Sequence, residues 1–146
     1  MKKAFYISVV FLITSFSASA QQWITNFDEA KETASKSNQN IVLVFQGSDW
    51  CAPCIKLDKE IWSNSEFKKL SKDHFVMLQA DFPKRKQNKL SEALQEHNNK
   101  LAEKYNPNGY FPFVVVLDKS GNVLGNLGYE KTAPTLFYNK LVAFEK

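Results

Sequence analysis

The stretch Ile41-Val42-Leu43-Val44-Phe45-Gln46-Gly47-Ser48-Asp49-Trp50-Cys51-Ala52-Pro53-Cys54 decides the architecture. Its first five residues form an unbroken apolar run rich in β-branched side chains. Strict alternation would mark a strand with one wet face, whereas a continuous run marks a strand covered on both faces of a parallel or mixed sheet. Gly47-Ser48-Asp49-Trp50 reads as a turn. Pro53 follows at once, and proline is at home only in the first turn of a helix, where its missing N–H has no partner to lose. The pattern predicts a buried strand, a tight turn, and a helix from Pro53 to about Trp62 with both cysteines at its start.

The flanking sequence extends this into one α/β unit. Phe27–Ser37 consists of helix formers with Asn26 or Asp28 available as a cap. A short helix is expected from Ser63 or Asn64 to about Lys72, and a second core strand over Phe75–Ala80. Leu90, Leu94, His97, Leu101 and Tyr105 recur at helical spacing, so a helix is expected over about 89–105. Phe111–Leu117 reads as a third strand and Asp118–Asn122 as a hairpin turn. Val123–Tyr129 is a fourth strand, antiparallel to the third, and Pro134–Phe144 a terminal helix. The order predicts a central mixed sheet of about four to five strands with helices on both faces.

The chain has 146 residues, of which 44% are hydrophobic, enough for one packed domain. Its amino terminus reads as an export signal: Lys2 and Lys3, then a mostly apolar run, then Ala18-Ser19-Ala20 as a small-residue cleavage site. The run Phe5–Phe16 is 12 residues long, short of the roughly 18 that a spanning helix needs. The expected division is a signal peptide over 1–20 and a domain over 21–146, in the periplasm or otherwise outside the cell. The formal charge of +4 includes the two signal lysines. The small surplus that remains gives no argument for nucleic acid.

Export sharpens the reading of the cysteines, which number two in the whole chain. A disulfide across two residues is a poor staple, because stabilisation grows with the loop it closes. Chemistry explains the pair better. A helix start exposes unpaired N–H groups and a partial positive charge, which favour a thiolate at Cys51. Cys54, one turn on, can reach Cys51 to close a small ring. The expected cycle is attack by Cys51 on a substrate disulfide, then attack by Cys54 on the mixed disulfide. Trp50 is expected to screen the centre from water. Zinc needs about four ligands, and the two histidines, His74 and His97, lack the spacing to complete a set with the cysteines. Haem attachment needs a histidine directly after the second cysteine, where Ile55 stands. No metal and no cofactor are expected.

Trp50-Cys51-Ala52-Pro53-Cys54 after a β-rich strand resembles the active-site motif of the thioredoxin superfamily, and Phe111-Pro112 resembles the family's cis-proline site. The stretch from Ser48 to Phe67 is similar to secreted bacterial thioredoxin-like domains and to the periplasmic C-terminal domain of transmembrane thiol-reductant carriers. The resemblance covers about 25–145. It implies a thioredoxin-like fold with catalytic Cys51 and Cys54. Trp50, Pro53, Phe111 and Pro112 would form the shell of the site, with Pro112 cis opposite the disulfide and the Phe111 backbone pairing with substrate. It implies a monomeric protein-disulfide reductase supplied with electrons by a transmembrane or soluble thiol donor. A disulfide isomerase, an oxidase and a redox-inactive binding module on the same fold are the alternatives.

Two departures from the family stand out. Thioredoxins carry a buried acid six positions before the first cysteine, and here that position is Phe45. Asp49 is the nearest acid, on the turn. The segment 83–106 is also longer than its thioredoxin counterpart and carries a local charge of +3. It reads either as a solvated helix face or as part of a docking surface.

Overall fold

The structure, a computed structural model, describes residues 22–146. The expected signal segment 1–20 lies outside the described residues. Five strands and five helices follow in the order β1 (Trp23–Ile24), α1 (Phe27–Ser37), β2 (Asn40–Gln46), α2 (Ala52–Leu57), α3 (Ser65–Ser71), β3 (Phe75–Asp81), α4 (Glu92–Tyr105), β4 (Phe113–Leu117), β5 (Val123–Gly128) and α5 (Pro134–Ala143). The sheet order is β1-β3-β2-β4-β5. β2 is therefore central, parallel to β3 on one side and antiparallel to β4 on the other.

The continuous apolar run of β2 has the cause the sequence suggested. Ile41, Leu43 and Phe45 point into a core layer shared with Ala30 and Ala34 of α1 and with Leu101 and Tyr105 of α4. Val42 and Val44 point into the opposite layer, with Leu57, Phe67 and Phe137 from α2, α3 and α5. Trp62 is the hub of that second layer, with Trp23, Phe67 and Phe137 packed edge-on against it at 5.8, 5.0 and 5.4 Å. It is 2% exposed, so truncating it to alanine should cost about 3–5 kcal/mol.

Several boundaries differ from the sequence reading. The helix expected from Pro53 to Trp62 holds α-geometry only to Leu57, and Asp58–Trp62 continues as a wider π turn. The helix expected from residue 89 starts at Glu92, because the Ser91 side chain caps it by accepting from the Leu94 N–H. A separate 3₁₀ turn covers Lys86–Asn88. Phe111 and Pro112 precede β4 rather than open it. Strand β1 was not anticipated; it has only two residues, too few to show a period, and is defined by pairing Trp23 and Ile24 with Met77 and Leu78. No helix among the described residues is long and apolar enough to cross a membrane.

Candidate active site

The site forms where β2 ends. The Cys51 N–H donates to the Gly47 carbonyl at 2.9 Å, which closes the turn between strand and helix. Gly47 is needed there for space: a Cβ on it would lie 2.3 Å from the Trp50 ring. Cys51 takes the N-cap position of α2, and its sulfur accepts from the Cys54 N–H at 3.3 Å. Cys51 and Cys54 form a disulfide with a Cα–Cα distance of 5.2 Å. Both are almost fully buried, at 4% and 3% exposure. Ala52 and Pro53 occupy the first helical positions and bring no charge to the pair. The helix-start position expected for the cysteines is thus the one observed.

Phe111-Pro112 is a cis peptide bond. The loop carrying it is fixed by buried Asn106, whose Oδ1 accepts from the Tyr110 N–H at 2.9 Å and whose Nδ2 donates to the Tyr110 carbonyl at 2.8 Å. Phe111 packs against Trp50 with ring centroids 5.6 Å apart, and against Phe82 at 5.5 Å. The structure therefore brings Phe111 together with Trp50, the residue before Cys51. Trp50 and Tyr110 remain exposed.

Phe45, at the family's acid position, is fully buried and lies opposite Ala80 and Phe113 in the neighbouring strands. Its ring centroid is 6.5 Å from that of Phe113. Asp49 is no substitute acid, because its carboxylate is committed elsewhere. It accepts from the Lys84 N–H at 2.9 Å, the Arg85 N–H at 3.0 Å and the Asn88 Nδ2 at 2.9 Å. The Lys84 N–H chiefly, then the Asn88 amide and the Arg85 N–H, hold the Asp49 carboxyl below its ordinary value, with burial opposing.

The same turn is tied to the 81–88 segment at further points. Trp50 Nε1 donates to the Phe82 carbonyl at 2.7 Å. The Ser48 N–H and Oγ both donate to the Asp81 carboxylate, at 2.9 and 2.6 Å. Lys84 Nζ sits 3.7 Å from the Trp50 ring centroid, a cation–π contact. The sequence alone did not show this strap, since its partners are more than thirty residues apart.

A cavity of about 210 Å³ opens beside Cys54, lined by Gln46, Ser48, Cys54, Ile55 and Asp58. Asp58 was not singled out in the sequence. Its signal was available: it stands four residues after Cys54, the spacing that puts two side chains on one helix face. Among the described residues no cluster of histidine, cysteine and carboxylate side chains has the make-up of a metal site.

The chain matches the family described as thioredoxin-like over residues 22–119. It is 34% identical over 120 residues to the disulfide bond reductase DsbH of Chlamydia pneumoniae, covering 82% of this chain and 70% of that one. The solved structure of a DsbH oxidoreductase superposes with a TM-score of 0.79 at 30% identity, over 97% of this chain and 94% of the other. The C-terminal domain of Neisseria meningitidis DsbD in its oxidised form shares the fold, with a TM-score of 0.53 at 18% identity over 77% of this chain and 90% of the other. With the Cys51–Cys54 pair at the start of α2 and the cis Phe111-Pro112 bond, these likenesses establish that the chain belongs to the thioredoxin-like family, as a DsbH-like disulfide oxidoreductase.

Proposed function

We propose that this protein reduces disulfide bonds in exported proteins, with Cys51 as nucleophile and Cys54 as resolving thiol. The observation that carries the reading is Cys51 at the N-cap of α2, with its sulfur accepting the Cys54 N–H. A backbone donor and a helix start stabilise a thiolate at that sulfur. The Cys51 thiolate attacks one sulfur of a substrate disulfide, forming a mixed disulfide and releasing the other substrate sulfur as a thiolate. Deprotonated Cys54 then attacks the Cys51 sulfur, closes the Cys51–Cys54 bond and releases the second substrate thiolate. Two electrons pass from the dithiol to the substrate. The dithiol is regenerated by a thiol donor, soluble or carried by a membrane protein, which takes up the oxidised state.

Cys54 must lose its proton in the second step. With Phe45 at the family's acid position, the carboxylate placed to receive it is Asp58, which lines the cavity beside Cys54. Trp50, Pro53, Phe111 and Pro112 form the surrounding shell, and the backbone of Phe111 pairs with an extended substrate segment. The direction of electron flow follows from what stands between the cysteines. A strong oxidant stabilises its thiolate heavily, and Ala52 and Pro53 supply neither a charge nor a side-chain donor. The export signal read over 1–20 places this work in the periplasm or outside the cell.

An insulin-reduction assay with a dithiol donor tests the reading. Catalysed precipitation of the reduced B chain supports it. A purified, folded protein that leaves the rate unchanged contradicts it.

A further inference from the structure

The 84–89 strap is the feature that the exchange chemistry does not use. Lys84-Arg85-Lys86-Gln87-Asn88-Lys89 holds four cations, all exposed, with no acid between Asp81 and Glu92. Basic runs of this kind ordinarily sit on solvated faces, with nearby carboxylates to balance them. Here the Asp49 carboxylate accepts from two backbone N–H groups and the Asn88 amide, with the Arg85 charge close enough to act on it, and Lys89 shares a surface hollow with Glu92 and Glu96. Lys86 and Lys89 make no ion pair among the described residues, while Lys100 pairs with Glu96 farther along α4.

The strap's place is fixed relative to the disulfide. Asp49 and Trp50 immediately precede Cys51, and both hold the strap, through Lys84, Arg85 and Asn88 in one case and Phe82 in the other. Lys84 covers the Trp50 ring, and that ring also packs against Phe111, the residue before cis Pro112. A chain segment lying across Trp50 and Phe111 to present its disulfide to Cys51 therefore runs along this cationic border. Because the strap backbone is already pinned, binding there does not have to order a loop.

We propose that the pinned strap is a specificity surface for disulfides flanked by acidic residues, reading Asp and Glu side chains of the substrate through Lys86, Lys89 and Arg85. This rests on the reductase reading and deepens it: the sulfur chemistry is the exchange described above, and the strap selects which disulfide reaches it. Charge complementarity of this kind acts mainly on encounter and on rejection of the wrong partner, and salt screens it over about 10 Å at 0.1 M.

The test uses the full exported protein and two synthetic peptides that share one disulfide loop, one flanked by glutamates and the other by lysines. A small neutral disulfide serves as the reference. The wild type should reduce the glutamate peptide with a kcat/KM about tenfold above the lysine peptide at low salt, falling to within about twofold at high salt. The double variant Lys86→Glu/Lys89→Glu should lose or reverse the preference and reduce the neutral disulfide at the wild-type rate. Equal handling of the two peptides by the wild type, or a preference that survives in the variant, overturns the acidic-substrate proposal while reduction of the neutral disulfide leaves the reductase reading standing. Failure to reduce any of the three disulfides overturns both.

Discussion

Asn106 grips Tyr110 with both ends of its side-chain amide, accepting from the Tyr110 N–H and donating to the Tyr110 carbonyl. The pair holds the loop that carries Phe111 and cis Pro112, with Phe111 packed against Trp50, the residue before Cys51. Asn106→Ala leaves two backbone groups without partners, and should lower stability by about 1–3 kcal/mol. If that loop receives the substrate as proposed, the variant should also raise KM for a protein disulfide more than it lowers kcat, because the loop loosens while the sulfurs stay in place. Denaturant unfolding and steady-state kinetics check both parts. A stability loss with unchanged KM would make Asn106 a purely structural residue.

The roles of the two cysteines separate in a trapping experiment. Cys51→Ser should abolish reduction and form no mixed disulfide. Cys54→Ser should accumulate covalent complexes, since the nucleophile remains and the resolving thiol is gone. Non-reducing gels of each variant incubated with oxidised substrate distinguish them. Equal trapping by both variants would reverse or blur the assignment.

Asp58→Asn should slow the second exchange step, in which Cys54 loses its proton, more than the first. Single-turnover kinetics would show a mixed disulfide that persists longer than in the wild type. Its unchanged lifetime would remove Asp58 from the proton path. Phe45→Asp is a poor alternative, because it places a carboxylate in a fully buried site directly opposite uncharged Ala80 and Phe113.

Acid should loosen the strap in a defined direction. The Asp49 carboxyl is held below its ordinary value of 3.8 in the folded protein, first by the Lys84 N–H. A depressed folded value means that the ionised clamp stabilises the fold in full above the unfolded value and loses that contribution as pH falls through the folded value. Hydrogen exchange at the Lys84 and Arg85 amides should therefore stay slow at neutral pH and gain an additional acceleration only below about pH 4. Asp49→Ala should show fast exchange at both sites throughout. Protection independent of Asp49 would show that the strap is held by other contacts.

The sequence revealed the parts of this molecule whose cause is local. The run Ile41–Phe45 announced a strand covered on both faces, and Pro53 beside Cys54 announced a helix start, because each depends on neighbours within a few residues. Features with distant causes were not readable. Asp49 looked like a free acid on a turn until its donors at Lys84, Arg85 and Asn88 came into view. Asn98, a polar residue in the middle of α4, is buried and donates to the Asp81 carbonyl at 2.9 Å. His97 was placed on the apolar stripe of that helix, and its Nε2 accepts from the Phe27 N–H at 3.2 Å, a contact across 70 residues. The catalytic motif was legible because thiol chemistry at a helix start requires adjacent residues. The strap was not, since it is assembled from two separate stretches of chain.

The proposed reductase role requires the Cys51–Cys54 couple to donate electrons. Cys51 has the helix start and one backbone donor, a modest stabilisation of the thiolate, and no charged residue stands between the cysteines. Equilibrating the purified protein with glutathione or dithiol buffers and quantifying the reduced fraction gives the potential directly. The potential should lie near the thioredoxin value of about −270 mV, where reduction of substrate disulfides is favoured. A value above about −160 mV, toward the strong oxidants near −120 mV, would contradict it and assign the protein to disulfide formation instead.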